Sequence, residues 1–62
     1  MPFRIYKVQD DGKLHFIRFA QTLDDAKACV RELGEVWHGE YVIQNMETGE
    51  RVVLNVRDEA KN

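Results

Sequence analysis

One segment of this chain has the periodicity of an α-helix, and four have the alternation of β-strands. The helical segment runs from Leu23 to about Leu33, where apolar residues recur every three or four positions and fall on one stripe. Thr22 precedes it, and a threonine hydroxyl can accept a hydrogen bond from the first turn. Gly34 follows the last stripe residue, which is typical of a left-handed C-terminal cap. The stripe consists of Leu23, Ala26, Val30 and Leu33.

The remaining apolar residues lie in strand-like segments that pair into two hairpins. Asp11 and Gly12 separate the first two segments, and both residue types suit the backbone of a tight turn. Gly49 lies in a similar turn between the last two segments. The predicted strands are Phe3–Val8, Leu14–Phe19, Tyr41–Met46 and Arg51–Val56, with a loop over Glu35–Glu40.

The order β-β-α-β-β predicts a single α+β domain over residues 1–56, with a flexible polar tail over residues 57–62. A helix between the second and third strands must cross one face of a four-stranded, mainly antiparallel sheet. The strand order 2-1-3-4 makes every pair of neighbours antiparallel, and several other orders remain open. A chain of 62 residues buries only about 60% of its unfolded surface, so its stability is expected to be marginal.

Both faces of the predicted sheet carry apolar side chains. Strict alternation places Phe3 and Ile5 on one face of the first strand and Tyr6 and Val8 on the other. The other three strands also carry apolar residues on both faces. In the second strand, Leu14 and Phe16 oppose Ile17 and Phe19; in the third, Tyr41 and Ile43 oppose Val42 and Met46; in the fourth, Val53 opposes Val52, Leu54 and Val56. An eleven-residue helix is roughly 16 Å long and can cover only one face.

The uncovered face is therefore the predicted functional surface, because contiguous exposed apolar groups usually mark binding or oligomer contacts. The sequence favours a small protein-interaction module that forms a homodimer through this face or through an edge strand. Trp37 either anchors such a contact or, as its position after the helix favours, closes the end of the core. If the helix covers the opposite face, Ile5, Leu14 and Phe16 replace Tyr6, Ile17 and Phe19. The candidate contact residues are Arg4, Tyr6, Ile17, Phe19, Trp37 and Val53.

The residues that usually carry catalysis are sparse, and the sequence predicts a non-enzymatic protein without cofactor or metal. The chain has no serine, and its single Cys29 lies at the margin of the helical stripe. His15 and His38 are predicted in different elements, whereas a metal site needs three or four converging ligands. The pairs Asp10–Asp11 and Asp24–Asp25 are explained by a turn and by a helix start.

Charge weighs against nucleic acid as the main partner. Nine Lys and Arg residues stand against eleven Asp and Glu residues, giving a net charge of −2. Even so, an open sheet with tyrosines and arginines can stack bases and contact phosphates, so binding of single-stranded nucleic acid is the alternative function.

The chain is expected in the cytoplasm. It has neither a signal-peptide pattern at its start nor an apolar run of the roughly 20 residues needed to cross a bilayer. One cysteine cannot form an intrachain disulfide. The hairpin followed by Thr22-Leu23-Asp24-Asp25-Ala26 resembles the plan of many small bacterial proteins, and this resemblance implies no functional residue.

Overall fold

A computed structural model describes residues 2–57 and confirms the predicted α+β fold. Four strands form one antiparallel sheet in the order β2-β1-β3-β4, and the helix packs on one face. Of the predicted tail over residues 57–62, only Arg57 lies within the described residues. The elements are β1 (Phe3–Val8), β2 (Leu14–Ala20), α1 (Leu23–Val36), β3 (Gly39–Asn45) and β4 (Arg51–Val56).

The first hairpin and the helix start form as the local sequence predicts. In the turn between β1 and β2, the backbone N–H of Gly12 donates to the carbonyl of Gln9 at 2.8 Å, and Gly12 has a φ of +87°. Asp11 Oδ1 accepts from the backbone N–H of Lys13 at 2.9 Å. At the start of α1, Thr22 Oγ1 accepts from the backbone N–H of Asp25 at 3.0 Å. Both features follow from short-range hydrogen bonding by Asp and Thr.

The predicted end of the helix at Leu33 is wrong, because α1 continues through Gly34 to Val36. Gly34 is buried against β4, and a β-carbon at this position would lie 2.7 Å from Cβ of Val56. The glycine therefore permits close packing of the helix on the sheet instead of ending the helix. The loop predicted over Glu35–Glu40 shrinks accordingly, since its first residues are helical and its last ones begin β3.

The core lies between α1 and the two central strands, β1 and β3. Its fully buried large side chains are those of Ile5, Val30, Tyr41 and Ile43. Partly buried residues from β1, β2, α1 and β4 pack around them. Within residues 2–57, no helix is both long and apolar enough to cross a membrane.

Candidate interaction surface

The side of the sheet that points away from α1, called here the open face, is set by strand alternation and register. The neighbours Lys7, Tyr41 and Ile43 are buried on the helix side, so alternate residues of β1 and β3 point the other way. Tyr6 and Val42 are paired across these two strands on the open face. Val42 is paired in turn with Val53 on β4.

A β-bulge in β2 decides which of its side chains join this face. Arg18 is paired with Ile5, and Phe16 with the following residue, Tyr6, so that Ile17 is the extra residue. The bulge reverses the alternation at that point. The prediction that Ile17 lies on the uncovered face is therefore wrong: it packs against the core from the helix side.

Leu14, Phe16 and Phe19 consequently share the open face, although regular alternation would have separated Phe19 from the other two. Phe19 is paired with Arg4, Phe16 with Tyr6, and Leu14 with Val8. In a regular strand, residues three positions apart, such as Phe16 and Phe19, point to opposite faces. Large apolar residues at this spacing are a sign in the sequence that β2 is irregular. Without the structure, that spacing does not say where the extra residue lies.

The open face is organised in three rows that cross the four strands from β2 to β4. The central row is apolar throughout, and each flanking row begins with an apolar residue on β2 and ends with a polar one on β4. The central row contains Phe16, Tyr6, Val42 and Val53. The arginine row contains Phe19, Arg4, Gln44 and Arg51. The glutamate row contains Leu14, Val8, Glu40 and Asn55, where Val8 lies beside Glu40 if the β1–β3 register continues by one residue beyond Lys7 and Tyr41.

Three rings on the β2 side form an aromatic cluster of Tyr6, Phe16 and Phe19. The Tyr6 and Phe16 ring centroids are 5.9 Å apart, and those of Phe16 and Phe19 are 5.0 Å apart, both edge to face. Arg4 borders the cluster, with Cζ 5.8 Å from the Phe19 centroid and Nη1 donating to the Tyr6 hydroxyl at 3.4 Å. Phe16 and Phe19 remain 43% and 42% exposed. The cluster is ordered by its own contacts and still presents a large apolar surface.

The candidate Trp37 lies elsewhere, on the helix side of the sheet just after α1. Its ring lies 5.2 Å from Nζ of Lys7 and 5.9 Å from the His15 ring. Lys7 is buried there, and its Nζ donates to the carbonyl of Val8 at 3.0 Å. Trp37 is 43% exposed and lies over a buried lysine on the helix side of the sheet. Arg4, Tyr6, Phe19 and Val53 are the candidates that the structure brings together on one face.

Tyr41 fixes the chain where it enters β3. Its hydroxyl donates to the carbonyl of Trp37 at 2.5 Å, and the side chain is fully buried. Burial raises the pKa of Tyr41, and the negative charge of a Cys29 thiolate would raise it further. The neutral hydroxyl is therefore retained as a hydrogen-bond donor.

The helix side of the sheet contains a cleft and the single cysteine among residues 2–57. A cleft of about 340 Å³ lies between β2 and α1, bordered by Arg18, Asp25, Cys29 and Glu32. Cys29 is half-buried and forms no disulfide. No group of three or more His, Cys, Asp or Glu residues in this part of the chain could hold a metal ion.

Comparison of the chain with known proteins adds no functional assignment. No family model, no curated protein and no solved structure matches it.

Proposed function

We propose that this protein is a non-enzymatic interaction module that forms a homodimer through the open face. The observation that supports this most directly is the aromatic cluster of Tyr6, Phe16 and Phe19, exposed on a face that no described element covers. Val53, which is 56% exposed, extends the apolar surface to β4, and Val42 is buried between Val53 and the cluster. Contiguous apolar surface of this kind is usually a contact site.

The dimensions of the domain agree with a two-layer arrangement in which the described elements leave this face uncovered. Its shortest extent is 16 Å, which suits one sheet with one helix. Since α1 packs against the other face, none of the described elements forms a layer on the open face. A second copy supplies the same apolar row and so a self-complementary surface.

The size of the face predicts a dimer of moderate affinity. Four strands about 4.8 Å apart and six residues long project an area of roughly 400 Å² per copy. Protruding side chains add to the accessible area, but the total remains near the lower end of stable interfaces, about 1,200 Å². A dissociation constant in the micromolar range, about 1 to 100 µM, is therefore expected.

A protein partner suits the aromatic cluster better than nucleic acid does. Proteins that bind single strands present ring faces on which bases stack. Here the Phe16 and Phe19 rings pack against each other at 5.0 Å, which leaves no space for a base between them. Glu40 also lies on this face, and the net charge of −2 disfavours phosphate.

We also propose a cytoplasmic location. Cys29 is free and half-buried, which suits a reducing compartment.

Sedimentation equilibrium from about 1 to 500 µM protein tests the homodimer, with the variants Val53→Lys and Val36→Lys as a matched pair. Val53 is 56% exposed on the open face, whereas Val36 is 88% exposed at the end of α1. We expect wild type and Val36→Lys to dimerise alike and Val53→Lys to remain monomeric, because the added charge would be buried in the interface. A wild type that stays monomeric at the highest concentration overturns the proposal.

A fluorescence titration with single-stranded homopolymeric oligonucleotides distinguishes the rival function. No binding at low salt is expected. Binding that weakens with salt and is lost in Phe16→Thr would instead assign the open face to nucleic acid.

A further inference from the structure

We infer that the two copies are related by a two-fold axis that runs across the strands, along the central row. In that arrangement Glu40 of each copy lies between Arg4 and Arg51 of the partner subunit. This inference rests on the proposed function, since it specifies how two open faces meet. Stacked faces can be related by a two-fold axis in the interface plane that runs either across the strands or along them.

The first argument is the change in polarity across the sheet. At its β2 end the open face is apolar, with Leu14, Phe16 and Phe19, whereas at its β4 end two polar side chains, Arg51 and Asn55, flank Val53. An axis along the strands would place the β2 end of one copy over the β4 end of the other, and thus bury apolar groups against polar ones. An axis across the strands places β2 over β2 and β4 over β4. Only this second arrangement matches apolar with apolar surface.

The second argument is the separation of charge along the strands. The arginine row carries Arg4 and Arg51, and the glutamate row carries Glu40. An axis along the strands would stack the arginine row on itself and place Glu40 over Val8 of the partner subunit. An axis across the strands reverses the strand direction, so the arginine row of each copy faces the glutamate row of the other. Glu40 then lies over Gln44 of the partner subunit, with an arginine one strand away on either side, at both ends of the interface.

The position of Glu40 within its row places it near two arginines of the partner subunit. Glu40 is on β3, and β3 lies between β1, which carries Arg4, and β4, which carries Arg51. When equivalent strands are stacked, the partner subunit's Arg4 and the partner subunit's Arg51 therefore flank Glu40. Packed sheets lie about 10 Å apart, a gap that long arginine and glutamate side chains bridge together.

Charge reversal tests the axis, with sedimentation as the measurement. Glu40→Arg and Arg51→Glu are each expected to raise the Kd at least about tenfold, because each places like charges together. The double variant restores an attractive pair between positions 40 and 51 but leaves Arg4 unchanged, so we expect partial recovery, with a Kd clearly below that of either single variant. Within one chain the two residues are four positions apart along paired strands, roughly 13 Å, so the recovery cannot arise inside a monomer.

Glu35→Arg is the control, because it makes the same charge change at an exposed position of α1. Its Kd is expected to stay within about twofold of wild type. Circular dichroism establishes that each variant folds. Suppose that wild type dimerises and Val53→Lys does not, yet the single reversals have no effect or the double variant fails to recover. The axis is then wrong, while the proposed function stands.

Cross-linking gives an independent measurement. On the inferred axis, Val53 faces Val53 of the partner subunit, so Val53→Cys in a Cys29→Ala background should form a covalent dimer with a short bismaleimide. With an axis along the strands, the two positions would be three strands apart, roughly 14 Å in the plane of the sheet. A covalent dimer that forms only when Phe16→Cys and Val53→Cys chains are mixed, both with Cys29→Ala, overturns the inference.

Discussion

The side chain of Val56 fills the space beside the α-carbon of Gly34, so that β4 and α1 touch with no side chain from the helix between them. A β-carbon at Gly34 would lie 2.7 Å from Cβ and 2.9 Å from Cγ2 of Val56. These distances are well inside van der Waals contact. The residue that sequence patterns place at a helix end is instead the point of closest approach between helix and sheet.

Gly34→Ala is expected to lower the free energy of unfolding by about 1 to 3 kcal/mol, because overpacking outweighs a gain of roughly 1 kcal/mol in helix propensity. Urea unfolding checks this at a protein concentration where the monomer prevails, since dimerisation adds stability. With Val56→Ala as the background, which removes both γ-carbons but keeps Cβ, the same substitution should cost less than in wild type. A stabilising effect of Gly34→Ala in wild type would contradict the close contact.

Tyr41 should make stability depend on alkaline pH. Its folded-state pKa is raised by burial above an unfolded value of about 10, so its contribution is complete below that value and is lost as pH rises through the folded pKa. Tyr41→Phe removes the hydrogen bond to Trp37, costing about 1 to 2 kcal/mol at neutral pH. Its stability should then fall less than that of wild type above pH ~10.

Urea unfolding of wild type and Tyr41→Phe over that pH range gives the comparison, and Tyr6→Phe is the control. The difference between the pH curves of the variants is the quantity compared, because it isolates the contribution of Tyr41. Tyr6→Phe should retain the alkaline loss of wild type. Parallel pH curves for wild type and Tyr41→Phe would show that the buried hydroxyl has no such role.

The bulge in β2 predicts opposite effects for two residues only two positions apart. Ile17→Thr should lower the free energy of unfolding by about 1 to 3 kcal/mol and leave the dimer Kd unchanged, because Ile17 packs against the core. Phe19→Thr should raise the Kd about tenfold with a smaller effect on unfolding, because Phe19 is on the open face. Urea unfolding and sedimentation measure the two quantities. Equal effects on dimerisation would argue against the bulge.

Thr22 should contribute to stability through the helix start. Thr22→Ala is expected to cost about 0.5 to 2 kcal/mol, because the backbone N–H of Asp25 loses its acceptor. Thr22→Ser keeps the hydroxyl and should stay close to wild type. The measurement is urea unfolding of the three proteins, and a serine variant as unstable as the alanine variant would point to packing of the methyl group instead.

Local signals were sufficient for most of the fold. Asp11, Gly12 and Thr22 act through hydrogen bonds and backbone preferences within a few residues, so the sequence predicts the first hairpin and the helix start. Gly34 misleads for the opposite reason: its role depends on Val56, which is 22 positions along the chain. A small residue chosen for a long-range contact is indistinguishable from a C-terminal cap in the sequence alone.

The candidate surface was predictable in part. Regular alternation is sufficient to place Tyr6 and Val53 together on one face, because β1 and β4 contain no irregularity on which that placement depends. It fails in β2, where one extra residue at Ile17 moves Leu14 and Phe16 to the face of Phe19. The three rows could not be predicted from the sequence, because they depend on the pairing of all four strands. The position of Glu40 relative to Arg4 and Arg51 depends on these rows.

The extra residue in β2 also limits how such molecules could assemble through their backbones. β2 is an outer strand, and the bulge interrupts the even spacing of the N–H and C=O groups along its free side. A strand from another molecule could not form a continuous ladder of backbone hydrogen bonds with β2. In contrast, β4, at the other edge of the sheet, is regular. A filament grows by strand addition only if each molecule has two edge strands that can pair with other molecules. Because only β4 is regular, we expect strand addition to stop once two molecules have paired.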